Sequence, residues 1–256
     1  MNRFFSSPRP SDPKLLRYAC WLLYQNLKTR DKLDLLSRIP ATVRPCSSYA
    51  FEFEERTISC DLLISLDSLY SMAEVAPAIL SEPVVVADIG AGWGRMGYVL
   101  KMANPKAVYV ILDLPEALLV SSRYLPTRLP NERILDYSQA RSITPLTKKS
   151  LREWGCVFLG AHDLERLEDK SLDFVINIAS FQEMTVEQID LYFGAIDRKL
   201  NGMLYTLQLW NTETHAYELG EVSGYDEFPF RPHWKSHYVR NTSWSDLYFE
   251  TMLSVP

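Results

Sequence analysis

The chain has 256 residues, 47% hydrophobic and 23% charged, enough for one large domain, or one domain with a helical appendage, around a packed core. Its net charge of −5 argues against a nucleic-acid partner, which would need a basic face. No apolar run reaches the length of a membrane span, and Met1 to Ser6 has no long apolar run of the signal-peptide kind, so a cytoplasmic location is expected.

Residues 6–13, rich in Ser and Pro, read as a loose arm. Asp12 can cap a helix with Pro13 at its first position. From 15 to 36 apolar residues recur at helical spacing (Leu15, Leu16, Ala19, Leu22, Leu23, Leu27), with a break near Thr29-Arg30-Asp31 that can divide two helices. Pro40 and Pro45 end this region, and a further helix is predicted over 62–80. Residues 1–80 therefore read as an N-terminal helical cap or lid, or as an element through which a homodimer could form, and residues 81–256 as the main domain.

The pattern changes at Pro83. Residues 84–89 form a short β-branched run of the kind buried on both faces of a sheet, followed by a glycine-rich turn and a helix to about Met102. A second such strand covers 108–113, and Pro115 opens a helix ending near Tyr124. Residues 126–145 are polar and irregular. Strands are predicted near 156–159, at 172–179 and at 203–209. Thr185 and Gln188 make a capping box for the helix before the last of these, which Asn201-Gly202 should terminate. Residues 236–241 and 247–253 can form a closing antiparallel pair. Alternating strands and helices imply a parallel sheet with right-handed crossovers.

Asp88-Ile89-Gly90-Ala91-Gly92-Trp93-Gly94-Arg95 lies between a buried strand and a helix. Its glycines allow a tight turn and close approach of backbone amides to a ligand. Asp113 ends the next strand, where a carboxylate can accept hydrogen bonds from two ribose hydroxyls. Gly92-x-Gly94-x-x-Gly97 also satisfies a dinucleotide fingerprint, so a nicotinamide- or flavin-dependent oxidoreductase stands as a competitor, and so does a binding protein without catalysis.

The Asp-x-Gly-x-Gly-x-Gly spacing resembles the first motif of class I methyltransferases. With Leu112-Asp113-Leu114-Pro115-Glu116 and Ala179-Ser180-Phe181-Gln182-Glu183-Met184, it is similar to the sugar O-methyltransferases related to the nanchangmycin enzyme, over roughly residues 84–210. The resemblance implies an α/β fold with a Rossmann-like, seven-stranded, mostly parallel sheet and an antiparallel last strand. It implies S-adenosylmethionine as cofactor and a small-molecule acceptor, a sugar or glycoside. Cofactor contacts are expected from Asp88, Gly90, Ala91, Gly92, Asp113, Leu114, His162, Asp163 and Asn177.

A sugar hydroxyl is a weak nucleophile, so a nearby base should help. In plant-type O-methyltransferases a histidine follows the fourth strand; here Gln182 takes that place, with Glu183 beside it. Glu183 is the first candidate base, and His233 or His215 are others. His233 and His237 with Asp226 and Glu227 do not make a dense acidic cluster, so no metal is expected. Trp210 and Trp234 are candidate acceptor contacts through stacking on a sugar ring. Cys20, Cys46, Cys60 and Cys156 form no CxxC pair and are expected to be free thiols, without zinc.

Overall fold

The computed structural model describes residues 13–40, 49–211 and 224–256. Asp12, Pro45, Cys46 and His215 lie outside these residues. The chain begins with α1 (Pro13–Arg30) and the short α2 (Leu35–Arg38). A hairpin follows, β1 (Ala50–Phe53) and β2 (Arg56–Ser59), leading directly into α3 (Cys60–Val75). Ser59 caps α3, its Oγ accepting the Leu62 N–H at 3.1 Å. The helices were legible, the hairpin was not. Its two-residue turn is Glu54-Glu55, both at positive φ, where Asn-Gly would have been the recognisable signal.

The main domain alternates β3 (Val85–Ile89), α4 (Arg95–Ala103), β4 (Val108–Asp113), α5 (Pro115–Arg128), β5 (Ile134–Leu135), α6 (Tyr137–Ala140), α7 (Lys148–Leu151), β6 (Cys156–Gly160), β7 (Leu172–Ile178), α8 (Val186–Lys199) and β8 (Leu200–Leu209). The sheet closes with β9 (Lys235–Asn241) and β10 (Tyr248–Val255). Strand order is β5-β6-β4-β3-β7-β8-β10-β9. Six strands are parallel, and β10 enters antiparallel between β8 and β9. The expected mostly parallel sheet with an antiparallel last strand is present, with eight strands instead of seven. The extra one, β5, is a two-residue edge inside the stretch read as irregular, too short for any periodicity.

Strand alternation sorts the core into two layers. Val86, Tyr109, Ile111, Phe158, Ile176 and Tyr205 face α1, α3, α4 and α5. Val85, Ala87, Val110, Leu112, Val175 and Leu204 face α8 and the segment near Trp234. The N-terminal helices share the first layer with the sheet.

Two expectations are corrected. Asn201-Gly202 does not form a left-handed helix stop; α8 passes into β8 at Leu200, and both residues belong to the strand. Gly202 is required instead by close approach, since a Cβ there would lie 2.1 Å from the Asp173 backbone oxygen. Cys20 and Cys60 are also not free: α1 packs on α3 and joins them in a disulfide, with Cα atoms 6.0 Å apart. A pairing across 40 residues depends on helix packing and leaves no spacing signature. Cys156 is a free, buried cysteine whose thiol burial pushes up to about 12. Among the described residues no helix is long and apolar enough to cross a membrane, and no three His, Cys, Asp or Glu side chains are grouped to hold a metal.

Candidate active site

The carboxyl ends of β3, β4, β6 and β7 open onto one crevice, the position where open α/β sheets bind ligands. The turn after β3 rises over this edge. Gly90, Gly92 and Gly94 all have positive φ, which explains three glycines in five residues. At Gly90 close approach matters as well, because a Cβ would fall 2.2 Å from the Ser180 hydroxyl oxygen. Ser180 belongs to the motif after β7, so the two motifs noted in the sequence meet here. Asn177 fastens them together: its Nδ2 donates to the Ile89 carbonyl at 2.8 Å and to Ser180 Oγ at 2.5 Å. Its Oδ1 accepts from the Phe181 N–H and from Gln208 Nε2. Asn177 is thus fully buried and engaged on both polar atoms, a bracket behind the crevice.

Asp88 also lies behind the loop. It is buried, and the Tyr109 hydroxyl donates to its carboxylate. Burial pushes Asp88 up to about 7, the Tyr109 hydrogen bond opposes the rise, and the Asp113 charge adds to it. Tyr109 packs against Gly97, where a Cβ would sit 2.2 Å from its ring. The third glycine of the fingerprint therefore serves helix-to-strand packing. Gly97→Ala should cost about 1–3 kcal/mol of stability through overpacking, roughly 2–12 °C in Tm for a domain of this size. A thermal melt reads this directly, and an unchanged Tm would mean that the Tyr109 ring can move aside.

A cavity of about 500 Å³ occupies the crevice. Gly90, Asp113, Leu114, His162, Glu183 and Tyr192 line it, with Met184, Leu191 and Ala195 adding apolar surface. Asp113 is held from two sides, accepting the Gly92 N–H at 2.6 Å and the Leu114 N–H at 2.7 Å. Burial raises its pKa, and those two N–H bonds oppose the rise. Glu183 makes no side-chain hydrogen bond to any described residue. Burial and then the Asp113 charge raise its pKa above that of an ordinary glutamate. Tyr192, not singled out in the sequence, donates its hydroxyl to the Ala161 carbonyl at 3.0 Å and forms one wall. It lies on α8, where its helical spacing reads simply as core. Among the described residues the lining carries three carboxylates, Asp113, Glu183 and Glu165, the last paired with Arg198 outside the lining, and no Lys or Arg.

The remaining candidates are placed elsewhere. Gln182 does not line the cavity; its Oε1 accepts the Leu209 N–H at 2.8 Å and its own N–H bonds Gln208, which anchors the segment carrying Glu183. Asp163 accepts the Gly160 N–H at 2.8 Å and pairs with Arg166 at 3.1 Å, outside the lining. Trp210 follows β8 at the same sheet edge, its Nε1 donating to Asn241 at 2.7 Å. Trp234 is buried beside Phe193 and donates to Asp197, which also meets His233 at 2.7 Å. Asp197 is in the last turn of α8, 11 residues after Val186 and so about 16 Å along the helix. His233 and Trp234 thus lie at the end of the helix remote from Glu183. The capping box expected at Thr185 and Gln188 is formed and starts α8 at the cavity rim.

No family model matches the chain, and no curated protein matches it. Solved structures share its fold. The PH0226 protein from Pyrococcus horikoshii OT3 aligns at 13% identity over 73% of this chain and 86% of that one, with a TM-score of 0.52. The pyocyanin biosynthetic protein PhzM aligns at 12% identity over 76% of this chain, with a TM-score of 0.52. The match spans 56% of PhzM's own length. At these identities the likeness is one of fold.

Proposed function

We propose that the chain is an S-adenosylmethionine-dependent O-methyltransferase acting on a hydroxyl of a sugar or glycosylated small molecule. The observation that carries the cofactor reading is the charge of the cavity: among the described residues its lining has two carboxylates without a cationic partner, Asp113 and Glu183, and no Lys or Arg. That lining suits a sulfonium and would repel the pyrophosphate of a nicotinamide dinucleotide. The antiparallel β10 inserted beside β8 supports the same reading over the oxidoreductase.

When bound, the cofactor supplies a methyl group already activated on positive sulfur. Asp113 would hold its ribose hydroxyls, with Leu114 and His162 flanking the base and the Gly90, Ala91 and Gly92 backbone beneath. Asp88, Asp163 and Asn177 support this arrangement from behind. Glu183 would accept the proton of the acceptor hydroxyl, and Gln182 would position the segment that carries it. His233 and Trp234 receive no role. The apolar wall of Met184, Leu191 and Ala195 helps exclude water. Residues 1–80 act as a cap on the acceptor side of domain 81–256, and a homodimer would pair through them. We place the protein in the cytoplasm.

Calorimetric titration with S-adenosylhomocysteine, alongside reduced nicotinamide nucleotides, tests the proposal. Binding of the first alone, followed by methylation of at least one glycoside in an acceptor screen, is the expected result. Binding of the nucleotide instead, or of neither by folded protein, overturns it.

A further inference from the structure

A second cavity, of about 240 Å³, lies between α1 and the turn joining β9 to β10. Tyr248 pairs with Leu209, so this turn sits level with the carboxyl end of β8, on the same sheet edge as the first cavity. From β7 to β10 is two strand spacings, about 10 Å along that edge, and the cavities flank it from opposite faces, the first beside α8 and the second beside α1. A chain of contacts joins the sites: Asn241 to the Trp210 indole, then Leu209, the residue before Trp210, to Gln182, beside Glu183.

The floor is apolar, from Ala19, Leu22 and Leu23. The wall is the turn itself, and it is built rigidly. Thr242 Oγ1 donates to the Ser245 carbonyl at 2.8 Å and accepts the Ser245 N–H, while Ser245 Oγ accepts the Leu247 N–H. Trp244 packs against Tyr248 with ring centroids 5.0 Å apart and borders the cavity.

The polar groups have defined senses. Asn241 Oδ1 is taken by the Trp210 indole, which leaves its amide hydrogens to donate. Ser243 lies near Asp67, a buried carboxylate paired with Arg30 at 2.6 Å, and offers a hydroxyl. Asp246 offers a carboxylate, and Asn26 both a donor and an acceptor; neither side chain bonds a described residue. Among the described residues no Lys or Arg lines the space, which disfavours phosphate, and a single carboxylate does not make a hard-cation site. Alternating donors and acceptors beside an indole match neutral hydroxyls on a ring whose C–H face can stack. The volume falls below the roughly 300–1,000 Å³ of drug-sized pockets, which suits one ring.

We propose that this cavity binds one saccharide ring, distal to the ring that receives the methyl group. As an acceptor subsite it rests on the function proposed above; as a saccharide site it does not.

The test is saturation-transfer NMR on the full chain with a panel of methyl glycosides and trisaccharides, with and without S-adenosylhomocysteine. Expected is transfer to ring protons of at least one saccharide. Its Kd should rise about tenfold in Trp244→Ala, the scale of one lost stacking contact. It should rise severalfold in Asp246→Asn, a conservative change on an exposed turn, with S-adenosylhomocysteine affinity unchanged in both. No transfer from any saccharide, or equal Kd in the parent and both variants, overturns the subsite even if S-adenosylhomocysteine binds. Saccharide binding lost with Trp244, in a chain that does not bind S-adenosylhomocysteine, keeps the saccharide site and overturns the methyltransferase reading instead.

Discussion

Glu183→Gln should lower kcat by about 10²-fold to 10⁴-fold, the usual contribution of a positioned general base, and leave S-adenosylhomocysteine affinity nearly unchanged. The substitution keeps the side chain's shape at the cavity wall and removes only its capacity to take a proton. The pH profile separates this role from a packing role. Glu183 must be ionised to act, so kcat should rise with pH through its pKa. Burial and the nearby Asp113 charge raise that pKa, so the acidic limb should stand at higher pH than an ordinary glutamate would give. In Glu183→Gln the limb should vanish. A variant that keeps turnover, or keeps the limb, would show that another group accepts the proton.

Asp113→Ala should weaken S-adenosylhomocysteine binding by about 10²-fold to 10⁴-fold. Two hydrogen bonds from ribose to a carboxylate are each of order 1.5–3 kcal/mol. The loss has a second component, because the same carboxylate holds the Gly92 and Leu114 amides. Without it the glycine turn loses its tie to the end of β4. Asp113→Asn keeps the outline of the side chain and should fall between the two. A thermal melt alongside the titration distinguishes loss of the ligand contact from collapse of the turn. Affinity within threefold of the parent, in a folded variant, would place the ribose elsewhere.

The parts of this architecture that were legible in the sequence are those with local causes. β3, β4 and β7 are buried on both faces and announce themselves as apolar runs; the glycine turn is dictated by three positive φ angles; Thr185 and Gln188 satisfy each other across one helical turn. Illegible features depend on partners distant in the chain. Gly202 answers to the Asp173 backbone, Cys20 to Cys60, and Tyr192 to Ala161. Trp234 and His233 carry chemistry that looks functional in isolation, but Asp197 takes both at the far end of α8. Within the motif after β7, Gln182 and Glu183 are adjacent in sequence yet diverge in role. The backbone curls there into a short 3₁₀ turn, with Gln182 bonded inward to β8 and Glu183 left facing the cavity.

The insertion of β10 between β8 and β9 also orders events at the ribosome. β9 is synthesised first, but among the described residues its neighbour in the sheet is β10 alone. Until residues 248–255 emerge, β9 has nothing to pair with, and β8 presents an open edge. Fourteen residues separate Asn241 from Val255, about one to three seconds of elongation at 5–20 residues per second. During that interval the nascent chain carries an unsatisfied strand edge, the feature most prone to pair with another copy. Polysomes crowded with this message should therefore gain more from a chaperone that shields β8 than the finished molecule ever would.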